Sequence, residues 1–398
     1  MAASRTIIVA GAGIGGLTAS LALAKQGFRV VVLEKAERLE ETGAGLQLSP
    51  NASRVLIDLG LRPRLSRALT PDAICLMNAR NGREITRLPL AGIAADEAAP
   101  YWVIHRADLQ AALRDEVENC PDIELRLGCQ FEDASSHARG LTVVQRSGVT
   151  RQQELALALI GADGIWSTVR RQLFPDVQPR FSGLIAWRGT LETTQLPREY
   201  TSSRVQLWMG PDAHLVTYPI SGGRQINVVA VVPGQWNRPG WSEPGDANEI
   251  KSTFVAAGWH AIPRMLIGAV DGWRKWALFT VASDGAWSNG TMALLGDAAH
   301  AMLPFAAQGA GMAIEDAAVL AKCIGERREE GPAGLLTALV RYTRLRRPRV
   351  TRVQRTASQS GRIYHLSGPM ALARDMVIRN MSPKRVLSRQ DWIYNWRP

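Results

Sequence analysis

Apolar and polar positions repeat with two different periods along this chain of 398 residues. Thr6 to Ala10 (TIIVA) is an unbroken apolar run of the kind that forms a strand buried on both faces. Leu17 to Lys25, rich in Ala and Leu, reads as a helix, and Gly27 ends it. Arg29 to Leu33 (RVVVL) is a second buried run, with Glu34 at its end. The three make one βαβ unit. Farther along, Ala107 to Val117 is an amphipathic helix. Glu124 to Leu127, Thr142 to Arg146 and Glu154 to Ile160 read as strands, and Ala162 to Leu173 turns into a helix. Between about Ser182 and Pro233, the runs GLIAWRGTL, SRVQLWMG, AHLVTYPI and INVVAVV have strand character. Gly210-Pro211-Asp212 and Ser221-Gly222-Gly223 supply turns among them. This predicts an antiparallel sheet inserted into an α/β protein. Met292 to Leu295 is one more buried strand, and Gly309 to Ala321 and Leu335 to Ser360 are helical. Trp187 and Trp208 fall in the inserted sheet as candidate pocket walls, while Trp273, Trp276 and Trp287 are expected between domains.

Composition narrows the picture. With 46% hydrophobic and 21% charged residues, a disordered or collagen-like chain is excluded. No uncharged apolar stretch is long enough for a transmembrane helix, so no stable membrane anchor is expected. Strand-like residues begin at Thr6, which leaves no room for a signal peptide. Cys75, Cys120, Cys129 and Cys323 form no CxxC pair, which fits a reducing, cytoplasmic setting. The net charge of +11 includes a run of seven arginines from Arg341 to Arg355. Their mixed spacing wraps them around a helix instead of making one stripe, and no nucleic-acid fold signature accompanies them, so no nucleic-acid partner is expected. The six histidines show no HExxH and no facial-triad start, and no metal is expected.

The chemistry starts at GAGIGG. Gly11 permits a tight strand-to-helix turn, Gly13 lets a pyrophosphate approach the backbone, and Gly16 lets helix and strand pack closely. The helix N-terminus then meets the phosphates with free N–H groups. Glu34, eighteen residues after Gly16, is placed to accept bonds from two ribose hydroxyls and to repel a 2′-phosphate. Strand, motif, helix, second strand and acid in this order predict a dinucleotide site, without separating NAD from FAD.

Two further segments separate them. LIGADGIWSTVR runs from Leu159 to Arg170, and MALLGDAAHAMLPFAAQGAGMAIEDA from Met292 to Ala317. With GxGxxG they make three ordered fingerprints, and the whole chain resembles the FAD-dependent aromatic hydroxylases, flavoprotein monooxygenases of the p-hydroxybenzoate hydroxylase type. It is most similar to the salicylate, 3-hydroxybenzoate and 6-hydroxynicotinate hydroxylase branch. The resemblance implies an α/β fold: a Rossmann-like FAD-binding domain (residues 1–72, 100–180 and 275–340), an inserted antiparallel β-sheet substrate domain (73–99 and 181–274), and C-terminal helices (341–398). It implies FAD as cofactor, NADH or NADPH as reductant, and a small aromatic substrate and dioxygen as partners, and it leaves a homodimer open. On that expectation, reduced FAD adds dioxygen and the flavin hydroperoxide passes OH to an activated ring.

Site residues follow from the same resemblance. Gly296 lets the cofactor chain pass close, and Asp297 takes a hydrogen bond from a ribityl hydroxyl. Asp163 lies near the pyrophosphate, and Arg106 reaches FAD. Gly309 opens a helix aimed at the flavin, and Gln308 lies near the substrate. Arg170 is read equally as a site residue or a surface one. Gly43 to Asn51 resembles the loop beside the flavin. The family usually has Asn near Gly311, where this chain has Gly and then Met312, and Phe305 stands where some salicylate hydroxylases carry His. His214, Val216 and Tyr218 share one strand face, and a histidine of ordinary pKa there takes the phenolic proton of the substrate, with Tyr218 orienting it. Arg188 and Arg204 are both candidate carboxylate partners. Two rivals stay open: a flavin hydroxylase or epoxidase of lipid-like substrates, and a flavin-binding protein of this fold without catalysis.

Overall fold

The computed structural model describes residues 5–39, 45–91, 99–137, 140–197, 203–238 and 240–398. Gly43 and Ala44 of the flavin-loop expectation, and residues 92–98 of the substrate-domain expectation, lie outside them.

The first βαβ unit forms as its pattern requires. β1 (Thr6–Ala10) pairs in parallel with β2 (Arg29–Glu34), joined by helix α1 (Ile14–Lys25). Helix α1 is buried without interruption from Gly16 to Leu23, because it lies between the sheet and a second helix, α8 (Gly309–Gly325). The sheet has six strands, in the order β18 (Ser288–Asn289), β19 (Met292–Leu294), β11 (Ala158–Gly161), β1, β2 and β7 (Ile123–Leu127). All pairs are parallel except β18 with β19. A three-stranded antiparallel sheet, β10 (Thr150–Ala156), β9 (Gly140–Ser147) and β8 (Cys129–His137), stands beside it.

One expected strand is two. Glu154 to Ile160 begins on β10, whose outer residues are exposed, and ends on β11, which is buried throughout. The chain changes sheets at Leu157, whose N–H binds the Thr6 carbonyl at 2.8 Å. The change from partial to complete burial is what a switch from a solvent-facing antiparallel sheet to a covered parallel one demands.

The inserted sheet has eight strands: β16 (Ser242–Gly245), β17 (Trp273–Thr280), β12 (Arg180–Glu192), β15 (Gln225–Pro233), β14 (Ala213–Ile220), β13 (Arg204–Gly210), β4 (Ala73–Asn78) and β5 (Glu84–Pro89). It is antiparallel but for the parallel β13–β4 pair. Helices α5 (Ala247–Ala256) and α6 (Ala261–Gly268) cover one face, over a core containing Trp187, Trp208, Trp259 and Trp273. Trp187 and Trp208 therefore wall no cofactor-side pocket. Period two turns Trp187 away from Arg188, and sets Trp208 beside Leu215, not His214. Trp273 packs edge-on to Trp187 on the same outer face, while Trp287 lies in the other core against His300 and Tyr342.

The remaining elements bridge the two sheets. β3 (Gly45–Leu48) pairs with β6 (Trp102–His105), and these lead into α2 (Pro50–Asp58) and α3 (Arg106–Glu118). Short helices α4 (Thr168–Leu173) and α7 (Asp297–His300) follow β11 and β19. α9 (Gly331–Tyr364) runs through Pro348, and α10 (Gly368–Asn380), α11 (Pro383–Ser388) and α12 (Asp391–Tyr394) close the chain.

Part of the arginine run on α9 serves the interior. Arg346 is buried, with Nη1 2.5 Å from Glu315 and Nε 2.7 Å from Asp316. Arg349 makes two 2.7 Å bonds to Glu315 and donates to the carbonyls of Trp392 and Ile393. Trp392 and Trp396 lie against Arg346, Arg349 and Arg352. The two buried acids of α8 thus receive guanidinium partners, and the C-terminal segment is fastened over them.

Candidate active site

Backbone geometry defines the glycine turn. Gly11 has φ +103°, and a Cβ there would stand 2.5 Å from the Ala162 carbonyl oxygen. A Cβ on Gly16 would stand 1.9 Å from the Gly11 carbonyl oxygen. Gly13 has no atom within 4 Å of its Cβ direction. The turn is closed where helix and strand pack, and open where a ligand passes. Glu34 accepts from the N–H of Ala12 at 2.8 Å and of Ala36 at 2.9 Å, which fixes its carboxylate at that turn.

The DG segment works through shape. Asp163 accepts from Ser167 Oγ at 2.5 Å and from the N–H groups of Thr168 and Val169 at 2.7 and 3.1 Å. It caps α4 and so fixes Gly164, which lines the cavity while Asp163 does not. Burial pushes the Asp163 carboxyl above its ordinary range, and these hydrogen bonds oppose the shift. Arg170 is no surface residue: it is buried, and it donates to the carbonyls of Ile165, Val177 and Ala298. It ties α4 to the turn holding Gly296 and Asp297.

Gly296 has φ +58°, and its N–H donates to Asp316 at 3.0 Å. His300 bonds the same Asp316 oxygen at 2.5 Å. Burial alone would raise the Asp316 carboxyl, but His300 and Arg346 outweigh it and pull it down to about 2. Asp297 itself is exposed and lines the cavity, as do Arg106 and Gly309. Gly309 also has open space at its Cβ direction.

Gln308 takes a different place from the one expected. It is buried outside the cavity lining, with Nε2 donating to Ser49 Oγ at 2.8 Å and Oε1 accepting from Asn51 Nδ2 at 3.2 Å. Asn51 also donates to Glu315 at 2.7 Å. Both ends of the Gln308 amide are engaged, which suits the start of α8 better than a substrate. A Cβ on Gly311 would come within 3.0 Å of Gln308 and 3.5 Å of Asn51. The space that a side chain at Gly311 would enter is thus taken by Gln308 and by Asn51 of α2.

The cavity between the two sheets holds about 290 Å³. One wall is the glycine turn, Gly296, Asp297 and the start of α8. The other is the inner face of the eight-stranded sheet, with His214, Val216 and Tyr218 of β14, Val229 and Val231 of β15, and Arg188 of β12. Register explains the grouping: His214 pairs with Val231, Val216 with Val229, and Val229 with Arg188.

Electrostatics distinguishes these side chains. His214 is buried, and burial, with His365 adding to it, holds its pKa down at about 3, not near its ordinary value. Its Nδ1 lies 2.8 Å from His365 Nε2, and Phe305 and Tyr364 pack against its ring. Burial raises the Tyr218 hydroxyl, opposed by Arg188 and by a hydrogen bond with Gln47. Tyr101 donates to that same Gln47 at 2.7 Å. Arg188 Nε is buried with no hydrogen-bond partner among the described residues, and burial and Arg106 both lower its pKa. Arg204 lies at the start of the interior strand β13, near Glu84 and Cys75 and outside the cavity lining. Sequence reasoning missed Gln47, Val229, Val231 and His365. The first lies within a segment already singled out, the two valines read as ordinary strand residues, and His365 carries no local signal. Among the described residues no group of three or more His, Cys, Asp or Glu side chains is arranged to hold a metal ion.

Comparison with known proteins agrees with this geometry. The family described as FAD binding domain matches residues 4–357. The chain is 34% identical over 399 residues to a 3-hydroxybenzoate 6-hydroxylase of Klebsiella oxytoca, covering 100% of this chain and 98% of that protein. It is 37% identical over 395 residues to the 3-amino-4-hydroxybenzoate 2-monooxygenase PtnB3 of Streptomyces platensis, covering 98% and 96%. Among solved structures it is similar to a salicylate hydroxylase substrate complex, with a TM-score of 0.81 at 27% identity over 99% of this chain and 96% of that one. The residues present fit the cofactor: open space over Gly13 and Gly309 and an exposed Asp297 suit a long ligand of pyrophosphate, polyol and ring. Fold, cavity and relatives together make this chain a member of the FAD binding domain family and, within it, an FAD-dependent aromatic hydroxylase.

Proposed function

We propose that the substrate is a hydroxylated aromatic or heteroaromatic carboxylate, held between Arg188 and His214. The observation that carries this reading is Arg188 Nε, buried and unpartnered on the same cavity wall as His214 and Tyr218. A guanidinium nitrogen buried without an acceptor, on a side chain that lines the cavity, favours an anionic ligand over a lipid-like one. Arg188 takes the carboxylate, Val216, Val229 and Val231 pack the ring, and neutral His214 accepts the phenolic proton. Tyr218, tied to Gln47, orients the substrate. Removing that proton raises electron density on the ring where oxygen is delivered. Bound FAD supplies the redox and oxygen chemistry, with reducing equivalents from NAD(P)H.

For the cofactor we infer roles residue by residue. Gly11, Gly13 and Gly16 shape the pyrophosphate turn, Glu34 meets the adenosine ribose, Asp297 meets the ribityl chain, and Arg106 and Gly309 face the ring. Asp163 and Gln308 position these groups instead of touching substrate. We infer an FAD-binding part (1–72, 100–180, 275–340), a substrate part (73–99, 181–274) and a C-terminal segment, with the substrate part carried on to Thr280 because β17 (Trp273–Thr280) belongs to the eight-stranded sheet. Nucleic acid is no partner in this reading, since Arg346 and Arg349 are engaged internally. No helix of the described residues is long and apolar enough to cross a membrane, and with the four cysteines unpaired we infer a cytoplasmic protein.

The test is NAD(P)H oxidation by the FAD-loaded enzyme with salicylate, 3-hydroxybenzoate, 3-amino-4-hydroxybenzoate, and matched phenols lacking the carboxylate. Stimulation and a hydroxylated product with at least one acid, and weaker stimulation by its decarboxylated partner, are expected. Equal stimulation by acids and by neutral apolar ligands would contradict the reading.

A further inference from the structure

His365 belongs to no motif, and 151 positions separate it from His214. It caps the C-terminus of α9, where its Nε2 comes within 2.8 Å of His214 Nδ1 with the rings tilted by 34°. His214 is buried and lines the cavity, while His365 is half-buried. Exposed Asp212, on the turn before β14, donates its N–H to the His365 carbonyl at 3.3 Å. Two imidazoles therefore connect the cavity to the surface through a wall otherwise closed by Phe305 and Tyr364. With Nδ1 engaged by His365, Nε2 is the nitrogen His214 has left for the cavity.

Resting on the reading of His214 as proton acceptor, the geometry points to His365 as a positioning residue that carries the phenolic proton out of the cavity. One proton moves and no electrons are exchanged. The substrate O–H breaks as His214 Nε2–H forms. His214 Nδ1–H breaks as His365 Nε2–H forms. The proton on His365 Nδ1 then leaves to water, and the phenolate stays. Reprotonation of the product oxygen runs the path backwards and restores both tautomers. The need for an outlet is physical: so buried an imidazole does not retain a proton at neutral pH. His365 is better placed, because Asp212 opposes the effect of its burial. The other charged or titratable groups around it are Tyr364 and the Arg374–Asp375 ion pair of α10, whose guanidinium donates to the carbonyls of Ile363 and Tyr364. That pair is internally neutral, so Asp212 sets the charge beside His365.

The experiment measures proton release when a phenolic acid binds the oxidised, FAD-loaded enzyme, by stopped flow with a pH indicator in weak buffer. The probes are 3-hydroxybenzoate, salicylate and 3-amino-4-hydroxybenzoate. The parent should release a proton on binding at least one of them. His365→Phe should slow release by about tenfold or more, within the range of lost proton-transfer groups, with FAD content and ligand Kd unchanged. Added imidazole should restore the rate. His365→Gln keeps a hydrogen-bonding partner for His214 but relays no proton, so it should be equally slow. Parental release rates in both variants, or full recovery in His365→Gln, overturn the outlet. His214→Ala separates the two claims: release that persists there overturns the reading of His214, and no release from the parent with any probe overturns both.

Discussion

At the scale of single residues, two side chains on one sheet face carry the reading. Arg188→Gln removes a charged donor from the cavity without emptying the space. Binding of the proposed aromatic acid should weaken by about 10- to 100-fold, as expected for a hydrogen bond to a charged group worth about 1.5–3 kcal/mol. Titration of the flavin absorbance with the acid, and with the matching phenol lacking the carboxylate, checks this: only the acid should be affected. His214 makes a second prediction, about acid stability. Its folded pKa of about 3 lies below the unfolded value near 6.5. The unfolded state therefore binds the extra proton as pH falls, so the stability is fully present above pH 6.5 and is lost progressively toward pH 3. The loss runs at no more than about 1.4 kcal/mol per pH unit. Thermal melts of the parent and His214→Leu between pH 7 and 4 should show the shallower decline in the variant. Parallel declines would contradict the burial argument. Asp316, held down to about 2, acts below this window, where its stabilising ion pairs are lost between pH 3.8 and 2.

At the scale of elements, legibility followed the range of the determining interactions. The β1–α1–β2 unit was readable because strand, glycine turn and acid are local, and each steric demand falls within the motif. The shared face of His214, Val216 and Tyr218 was readable from period two alone. What lay beyond reach depended on partners far along the chain. Gln308 reads as a substrate neighbour until Ser49 and Asn51, more than 250 positions away, engage its amide. Trp187 reads as a pocket wall until α5 and α6 show which sheet face they cover. Arg188 could not be chosen over Arg204 until the fold set Arg188 in the cavity lining and Arg204 at the start of β13, outside it. The glycine turn gives the sharpest test at this scale. Gly16→Ala places a methyl group 1.9 Å from a backbone oxygen that cannot move without opening the turn. The variant should purify with little FAD, measured by absorbance after denaturation. Gly13→Ala, with open space at the same turn, should remain folded and lose cofactor affinity instead.

At the scale of the whole molecule, the site is assembled between two sheets and held from behind by the C-terminal helices. Arg346 joins α9 to Glu315 and Asp316, and Asp316 in turn holds Gly296 and His300. Arg346→Met leaves part of this buried charge unpaired and should cost about 3–5 kcal/mol, the usual penalty for breaking a buried pair. Chemical denaturation of the FAD-loaded protein measures it, and a change under about 1 kcal/mol would show that Arg349 and His300 suffice. On the proposed reading these ion pairs brace the cofactor wall, while the opposite wall, a sheet face of His214, Tyr218 and Arg188, selects the substrate. The most direct measurement of that account is turnover under isotopically labelled dioxygen, with NAD(P)H and 3-hydroxybenzoate, salicylate or 3-amino-4-hydroxybenzoate, followed by mass spectrometry. The account predicts an aromatic product carrying one labelled oxygen atom from at least one of these acids. Consumption of NAD(P)H with all labelled oxygen recovered as hydrogen peroxide or water, and no labelled product from any of them, would contradict it.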